Sequence, residues 1–297
     1  MIRHGLFRLV SFLGRAISYV GRSVRAFALT MDPDKSGLGA VIGSTQYNMV
    51  TAPDEPYYLE QYWCVLSEHL PSLQEGSLVL DLGCGQGRLS LRLASLFPNS
   101  KILGCDLSDQ AIVAATTFAE EREIKNASFV TQSISEFLAT TTPSSVDLII
   151  FTEVTFFYAN WRSDLPSILR SLKSGGVLVL SSRTQYFDGL CLVKHGMWEN
   201  VEMLLGARNG RIFNSSVEYT WQTSSEIRNI LSEAGFELAD IRGIGVCSGI
   251  LGDPLADVCI PSELSDAERN SLMKLEIELG RGVIDGGRYM LAIARKL

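Results

Sequence analysis

The stretch that most constrains this chain is Leu78-Val79-Leu80-Asp81-Leu82-Gly83-Cys84-Gly85-Gln86-Gly87-Arg88-Leu89-Ser90. An apolar run too short for a helix and closed by glycines predicts a strand buried on both faces, feeding a tight turn into a helix over 87–97. Without Cβ atoms the turn can approach a ligand closely, and free N–H groups at the helix start favour an anion. The spacing is G-x-G-x-G. A dinucleotide turn, G-x-G-x-x-G, would place glycine where Arg88 stands. A side chain there crowds a pyrophosphate, whereas an amino-acid carboxylate needs less room.

The second half of the signal is Asp106, 21 residues beyond Gly85 and at the end of the next apolar run, 101–106. A carboxylate there can accept two hydrogen bonds from a ribose diol at the point where strand order reverses. A glycine turn or a strand-end aspartate alone is weak evidence; strand, turn, helix, strand and acid in this order are strong together.

The rest of the body alternates in the same way. Ser108 caps a helix over 109–122, strands are expected at 127–132 and 146–152, and a helix at 162–173 leads to Val177-Leu178-Val179-Leu180. Capping boxes at Thr223–Glu226 and Ser265–Glu268 open two more helices, with strand material at 236–244 and 288–294. Such alternation predicts one doubly wound α/β domain with a mostly parallel sheet over 55–297. Two stretches, 183–222 and 245–286, do not alternate and are expected to form lids over the binding face.

Residues 1–30 differ in kind. They contain five arginines and no acid, a formal +5, so with a net charge of −7 overall the remaining 267 residues carry −12. On a helix, His4, Arg8, Ser11, Arg15, Ser18, Arg22 and Arg25 fall on one side, and Leu6, Leu9, Val10, Leu13, Ile17, Val20 and Val24 on the other. Three readings stand: a surface helix making peripheral membrane contact through residues 4–29, a mitochondrial presequence, or a helix docked on its own domain. Four arginines within 5–25 argue against a membrane span. Residues 31–54, with Pro33 and Gly37, read as a linker. The expected location is cytoplasmic and membrane-peripheral, or mitochondrial if the arm is a presequence.

An acidic body is a poor partner for a phosphate backbone, so no nucleic-acid substrate is expected. Six scattered cysteines without a C-x-x-C pair predict reduced thiols, and three histidines make a multi-histidine metal site unattractive.

Over residues 77–182 the sequence resembles the class I S-adenosylmethionine-dependent methyltransferases. Asp81-Leu82-Gly83-Cys84-Gly85-Gln86-Gly87 is similar to their first motif and Asp106 to their ribose-binding acid. Val146 to Val154 is similar to their fourth-strand motif, and Leu172-Lys173-Ser174-Gly175-Gly176-Val177-Leu178 to the turn into their fifth strand. The resemblance implies a seven-stranded Rossmann-like sheet ending in an antiparallel hairpin, with S-adenosyl-L-methionine as cofactor. It places Asp81, Gly83, Cys84, Gly85, Gly87, Asp106, Leu107, Gln132, Ser133, Ile134 and Thr152 around that cofactor. One departure stands out. The family commonly sets an acid against the adenine amino group after the third strand, where this chain has Gln132 and Ser133.

The function expected is methyl transfer to oxygen, nitrogen or carbon of a small, lipophilic molecule, held in line with the donor sulfur. His195, Glu153 and Tyr158 are the candidate catalytic side chains, His195 as the natural base in a lid. Phe156-Phe157-Tyr158 is a candidate apolar wall, with core packing the alternative. Two other functions remain open: a non-catalytic subunit that binds the same cofactor, and a nicotinamide-dependent oxidoreductase.

Overall fold

A computed structural model describes residues 48–212 and 218–297. The arm at 1–30 and residues 31–47 of the expected linker lie outside the described residues. The chain order begins with α1 (Glu55–Ser67), β1 (Leu78–Leu82), α2 (Arg88–Leu96), β2 (Lys101–Asp106), α3 (Asp109–Glu121) and β3 (Ala127–Thr131). It continues through α4 (Ile134–Thr140), β4 (Val146–Phe151), α5 (Leu165–Ser171) and β5 (Leu172–Arg183). After an insertion of α6 (Gln185–His195), α7 (Val201–Gly206), β6 (Asn209–Gly210) and β7 (Tyr219–Thr220) come α8 (Ser224–Glu233), β8 (Phe236–Ile244), α9 (Asp266–Gly282) and β9 (Tyr289–Lys296).

Seven of these strands form one sheet in the order β3-β2-β1-β4-β5-β9-β8. β1 runs parallel to β2 and to β4, and β9 is antiparallel to both its neighbours, with Arg183 opposite Tyr289. Strand order reverses between β1 and β4, so the loops leaving their C-terminal ends diverge and open a crevice.

The two-residue period of the strands divides the core. Leu80, Leu82, Ile149, Phe151, Leu178 and Leu180 join one apolar cluster with side chains of α4, α5 and α8. Val79, Leu148, Ile150, Val177 and Val179 join another with side chains of α1 and α2. Tyr57, Tyr58 and Tyr62 belong to this second cluster. Capping was legible: Ser108, Thr223 and Ser265 each accept a backbone N–H at their helix starts. The helix expected at 162–173 is shorter, because a 3-10 turn at Trp161–Asp164 precedes it and Pro166 fixes its first turn.

The two insertions have different fates. α6, α7 and the β6–β7 hairpin enclose a small core of their own: Leu192, Leu204, Ile212 and Trp221. In the second insertion α9 is a supporting layer, packed on α1 and β8. Its buried Glu276 accepts hydrogen bonds from Tyr57 Oη (2.6 Å), from Gln61, from Ser248 Oγ and from the Cys247 N–H (2.7 Å). A buried carboxylate satisfied from two segments, α1 and the loop at 247–248, ties this helix down. Only the loop before it reaches the crevice. Among the described residues no helix is long and apolar enough to cross a membrane.

Candidate functional site

The glycine turn is pinned to the neighbouring strand. The N–H groups of Gly83 and Cys84 donate to the Cys105 carbonyl at 2.8 and 2.9 Å, and the Gly85 N–H donates to Asp106 Oδ2 at 2.9 Å. Asp106 Oδ1 accepts the Ser108 N–H at 2.9 Å. The acid at the end of β2 is therefore held in one orientation by the backbone of the turn. The turn's N–H groups, expected to be free for an anion, are at these three positions already bonded within the protein.

Two glycines are required by geometry. A Cβ on Gly83 (φ +71°) would come within 2.3 Å of Val154 Cγ2, so the turn after β1 meshes with the turn after β4. Gly87 (φ +80°) would press a Cβ to 3.1 Å from Phe129. Gly87 thus buttresses the turn from behind and does not line the crevice, which corrects its expected place beside the cofactor.

The crevice holds a cavity of about 440 Å³, within the range of small-molecule sites. Asp81, Gly83, Cys84, Gly85, Asp106, Leu107, Gln132, Ser133, Ile134, Thr152, Glu153 and Tyr158, each a residue singled out by sequence, line it. His195 does not. It lies exposed at the last turn of α6, because that helix turns its Phe187, Asp188, Cys191 and Leu192 face inward. The histidine expected as the base is thus not among the side chains that line this cavity.

The half of the cavity under β1 and β2 is acidic. Asp81 is buried, receives Ser90 Oγ at 2.6 Å and is pushed up to about 6, its loss of water outweighing the serine hydrogen bond. Burial pushes the Cys84 thiol well above its ordinary value, so it is not a nucleophile. Leu107 and Ile134 offer apolar surface beyond Asp106. The Ser133 hydroxyl is spent in a capping box at the start of α4, accepting the Glu136 N–H and donating to its carboxylate at 2.6 Å. Of the two residues expected to replace the adenine-binding acid, that leaves the Gln132 amide.

Glu153 follows β4 in a left-handed conformation (φ 59°), a costly state for a non-glycine residue. Its N–H donates to Ser181 Oγ at 2.7 Å and its carboxylate pairs with Arg88. Arg88 also pairs with Glu55, and all three side chains are nearly excluded from water. Glu153 is thereby a partner of a buried arginine rather than a free base. The Tyr158 phenol is raised by burial and stays protonated at neutral pH.

Beyond β4 and β5 the cavity becomes aromatic. Phe156 stands 4.2 Å from Phe157 and 5.5 Å from Tyr289 between ring centroids, and Phe157 stands 5.3 Å from Tyr219. Arg183, Ile250, Asp253 and Arg288 complete this half. Sequence reasoning did not place Met49, Glu55, Gln86, Ile250 or Asp253 at the site. They come from segments far apart in the chain, and Met49 arrives through its N–H bond to Gln86 Oε1 (2.8 Å).

Comparison with known proteins agrees with this geometry. A family model described as a methyltransferase domain matches residues 73–235. The trans-aconitate 2-methyltransferase of Azoarcus sp. (strain BH72) is 26% identical over 189 residues, 59% of this chain and 70% of that protein. The tRNA 5-carboxymethoxyuridine methyltransferase of Escherichia coli (strain K12) is 27% identical over 172 residues, 57% of this chain and 62% of that one. The crystal structure of magnesium protoporphyrin IX methyltransferase from Synechocystis PCC 6803 with bound SAH superposes with a TM-score of 0.52 at 18% identity, covering 93% of this chain and 99% of that one. At that identity the likeness speaks to the fold.

Proposed function

This chain belongs to the S-adenosylmethionine-dependent methyltransferases, and we propose that its methyl acceptor is a small molecule with an apolar body. The observation that carries the proposal is the division of one cavity into an acidic half at the glycine turn and an aromatic half at Phe156, Phe157, Tyr219 and Tyr289. The acidic half suits S-adenosyl-L-methionine, whose sulfonium and ammonium groups are both cationic. Bound there, the cofactor supplies an electrophilic methyl group.

In this reading Asp106 holds the ribose, Asp81 faces the ammonium, Leu107 and Ile134 sandwich the adenine, and Gln132 meets its edge. The aromatic half strips water from the acceptor and fixes its approach. A relative named for a small acid, trans-aconitate, supports a small acceptor, as does the acidic surface, which repels a phosphate backbone. The nicotinamide-dependent alternative falls away with the family.

The test is incubation of the purified chain with methyl-labelled cofactor and separate small-molecule, tRNA and protein fractions of a cell extract. Label in the small-molecule fraction alone is expected. Label confined to tRNA or protein overturns the acceptor class, and no label in any fraction favours a non-catalytic cofactor-binding subunit.

The position of Asp81 makes a pH prediction. Its carboxylate attracts the ammonium only when ionised, and it takes up a proton near pH 6. Affinity for S-adenosylhomocysteine, measured by calorimetry, should be level above about pH 7 and fall below 6, approaching about tenfold per pH unit. In the unliganded chain the sign reverses. The folded form holds this proton more tightly than the unfolded one does, so the Asp81 contribution to stability rises as pH falls from about 7 to 4. An affinity flat down to pH 5 would remove Asp81 from the ammonium.

A further inference from the structure

The aromatic half of the cavity contains two guanidinium groups whose hydrogen-bonding capacity is largely unspent. Arg288 lies where β9 begins, its Nε 3.3 Å from Asp253 Oδ2 but not aligned for a hydrogen bond, and no other acceptor among the described residues reaches it. Instead its guanidinium lies over the rings of Tyr58 and Tyr289, at 5.6 and 5.2 Å from their centroids. Arg183, at the end of β5, donates through Nε to Asp188 at 2.7 Å and otherwise only to the Cys191 sulfur at 3.9 Å. Its guanidinium lies 5.6 Å from the same Tyr289 ring. Antiparallel register, with Arg183 opposite Tyr289, brings the two cations to one end of the cavity. Buried guanidinium donors without acceptors are costly, and a carboxylate is the partner their forked geometry fits.

A second observation concerns proton transfer. Among the described residues lining the cavity there is no histidine and no lysine. Glu55 and Glu153 are paired with Arg88, Asp253 lies beside Arg288 and accepts the Ile250 N–H, Asp106 accepts two backbone N–H groups, and Asp81 lies in the cofactor half. Burial pushes the Tyr289 phenol up to about 12. A site without a positioned base suits an acceptor that carries no proton at neutral pH.

We propose, resting on the small-molecule reading above, that the acceptor is a carboxylic acid with an apolar body, anchored by Arg183 and Arg288 and converted to its methyl ester. One carboxylate oxygen is held by the arginines. The other forms a bond to the methyl carbon as the carbon–sulfur bond breaks, and the electron pair stays on sulfur. No proton moves, and an anion and a sulfonium become two neutral products. A reaction that cancels charge is favoured in a site that excludes water, and the Phe156, Phe157 and Tyr219 wall provides one.

The experiment uses the purified full chain and a panel of medium-chain, long-chain and aryl carboxylic acids, each matched by its primary amide and alcohol. Each compound is titrated into the protein saturated with S-adenosylhomocysteine, then offered with methyl-labelled cofactor. Acids are expected to bind and to acquire label that mild alkali releases as methanol, while amides and alcohols do neither. Arg288→Gln should raise KM for the acid about tenfold or more with S-adenosylhomocysteine affinity within twofold of the parent. Arg183→Lys, which keeps a cation for Asp188, should weaken acid binding in the same direction. Alkali-stable label, or amides and alcohols accepted as well as acids, would overturn the proposal. So would S-adenosylhomocysteine binding with no acid bound or methylated. A chain that fails to bind S-adenosylhomocysteine at all would instead overturn the cofactor assignment on which both readings stand.

Discussion

Replacing Arg88 by methionine should lower the unfolding free energy by about 3–5 kcal/mol, the cost of stranding buried charge. The side chains of Arg88, Glu55 and Glu153 are 9%, 7% and 13% exposed, so the arginine is the shared ion-pair partner of two acids that solvent hardly reaches. Methionine fills much of the same volume, which confines the loss to electrostatics and hydrogen bonding. The loss is a large share of the about 5–15 kcal/mol by which domains are stable. It should appear as a lower urea midpoint with an unchanged slope. Adding Glu55→Gln and Glu153→Gln to Arg88→Met should recover most of it, since no uncompensated charge then remains. A midpoint unmoved by the single substitution would mean that water reaches the triad freely.

Asp106→Ala should weaken S-adenosylhomocysteine binding on the order of 100-fold, from two charge-assisted hydrogen bonds to a diol at about 1.5 kcal/mol each. The same carboxylate also accepts the Gly85 and Ser108 N–H groups, so its removal frees the turn that shapes the amino-acid end of the site. Asp106→Asn separates the two effects. The amide oxygen can still hold one N–H, and affinity should fall only about tenfold, the charge being lost but the turn partly kept. Calorimetry with all three proteins checks this. Equal affinity for the parent and the alanine variant would remove Asp106 from the ribose.

The fold was legible because its signals are local. Five-residue apolar runs, glycine turns and hydroxyl caps at Ser108, Thr223 and Ser265 each act within a few residues, and they agreed on a parallel sheet. The antiparallel seat of β9 required the family resemblance, since an apolar strand carries no mark of its direction. The cofactor half was legible for the same local reason, with Gly87 corrected by what lies behind it and Ser133 in the lining with its hydroxyl engaged in its own helix cap. The acceptor half was legible only in part: Phe156-Phe157-Tyr158 was a candidate wall, whereas Arg183, Asp253 and Arg288 meet across more than a hundred residues, through an antiparallel register and the loop before α9. His195 lies off the cavity because a lid's position along the chain does not say which way its helix turns; the inward face was set by Phe187, Cys191 and Leu192.

The four-residue core of the first insertion separates two kinds of tinkering. Leu192, Leu204, Ile212 and Trp221 form a core distinct from the clusters that flank the sheet, touching one of them through Tyr219. Substitutions within that small core therefore need not disturb the strands beside the glycine turn. Relatives could retain one unaltered grip on the donor while drifting, insertion by insertion, toward new clients.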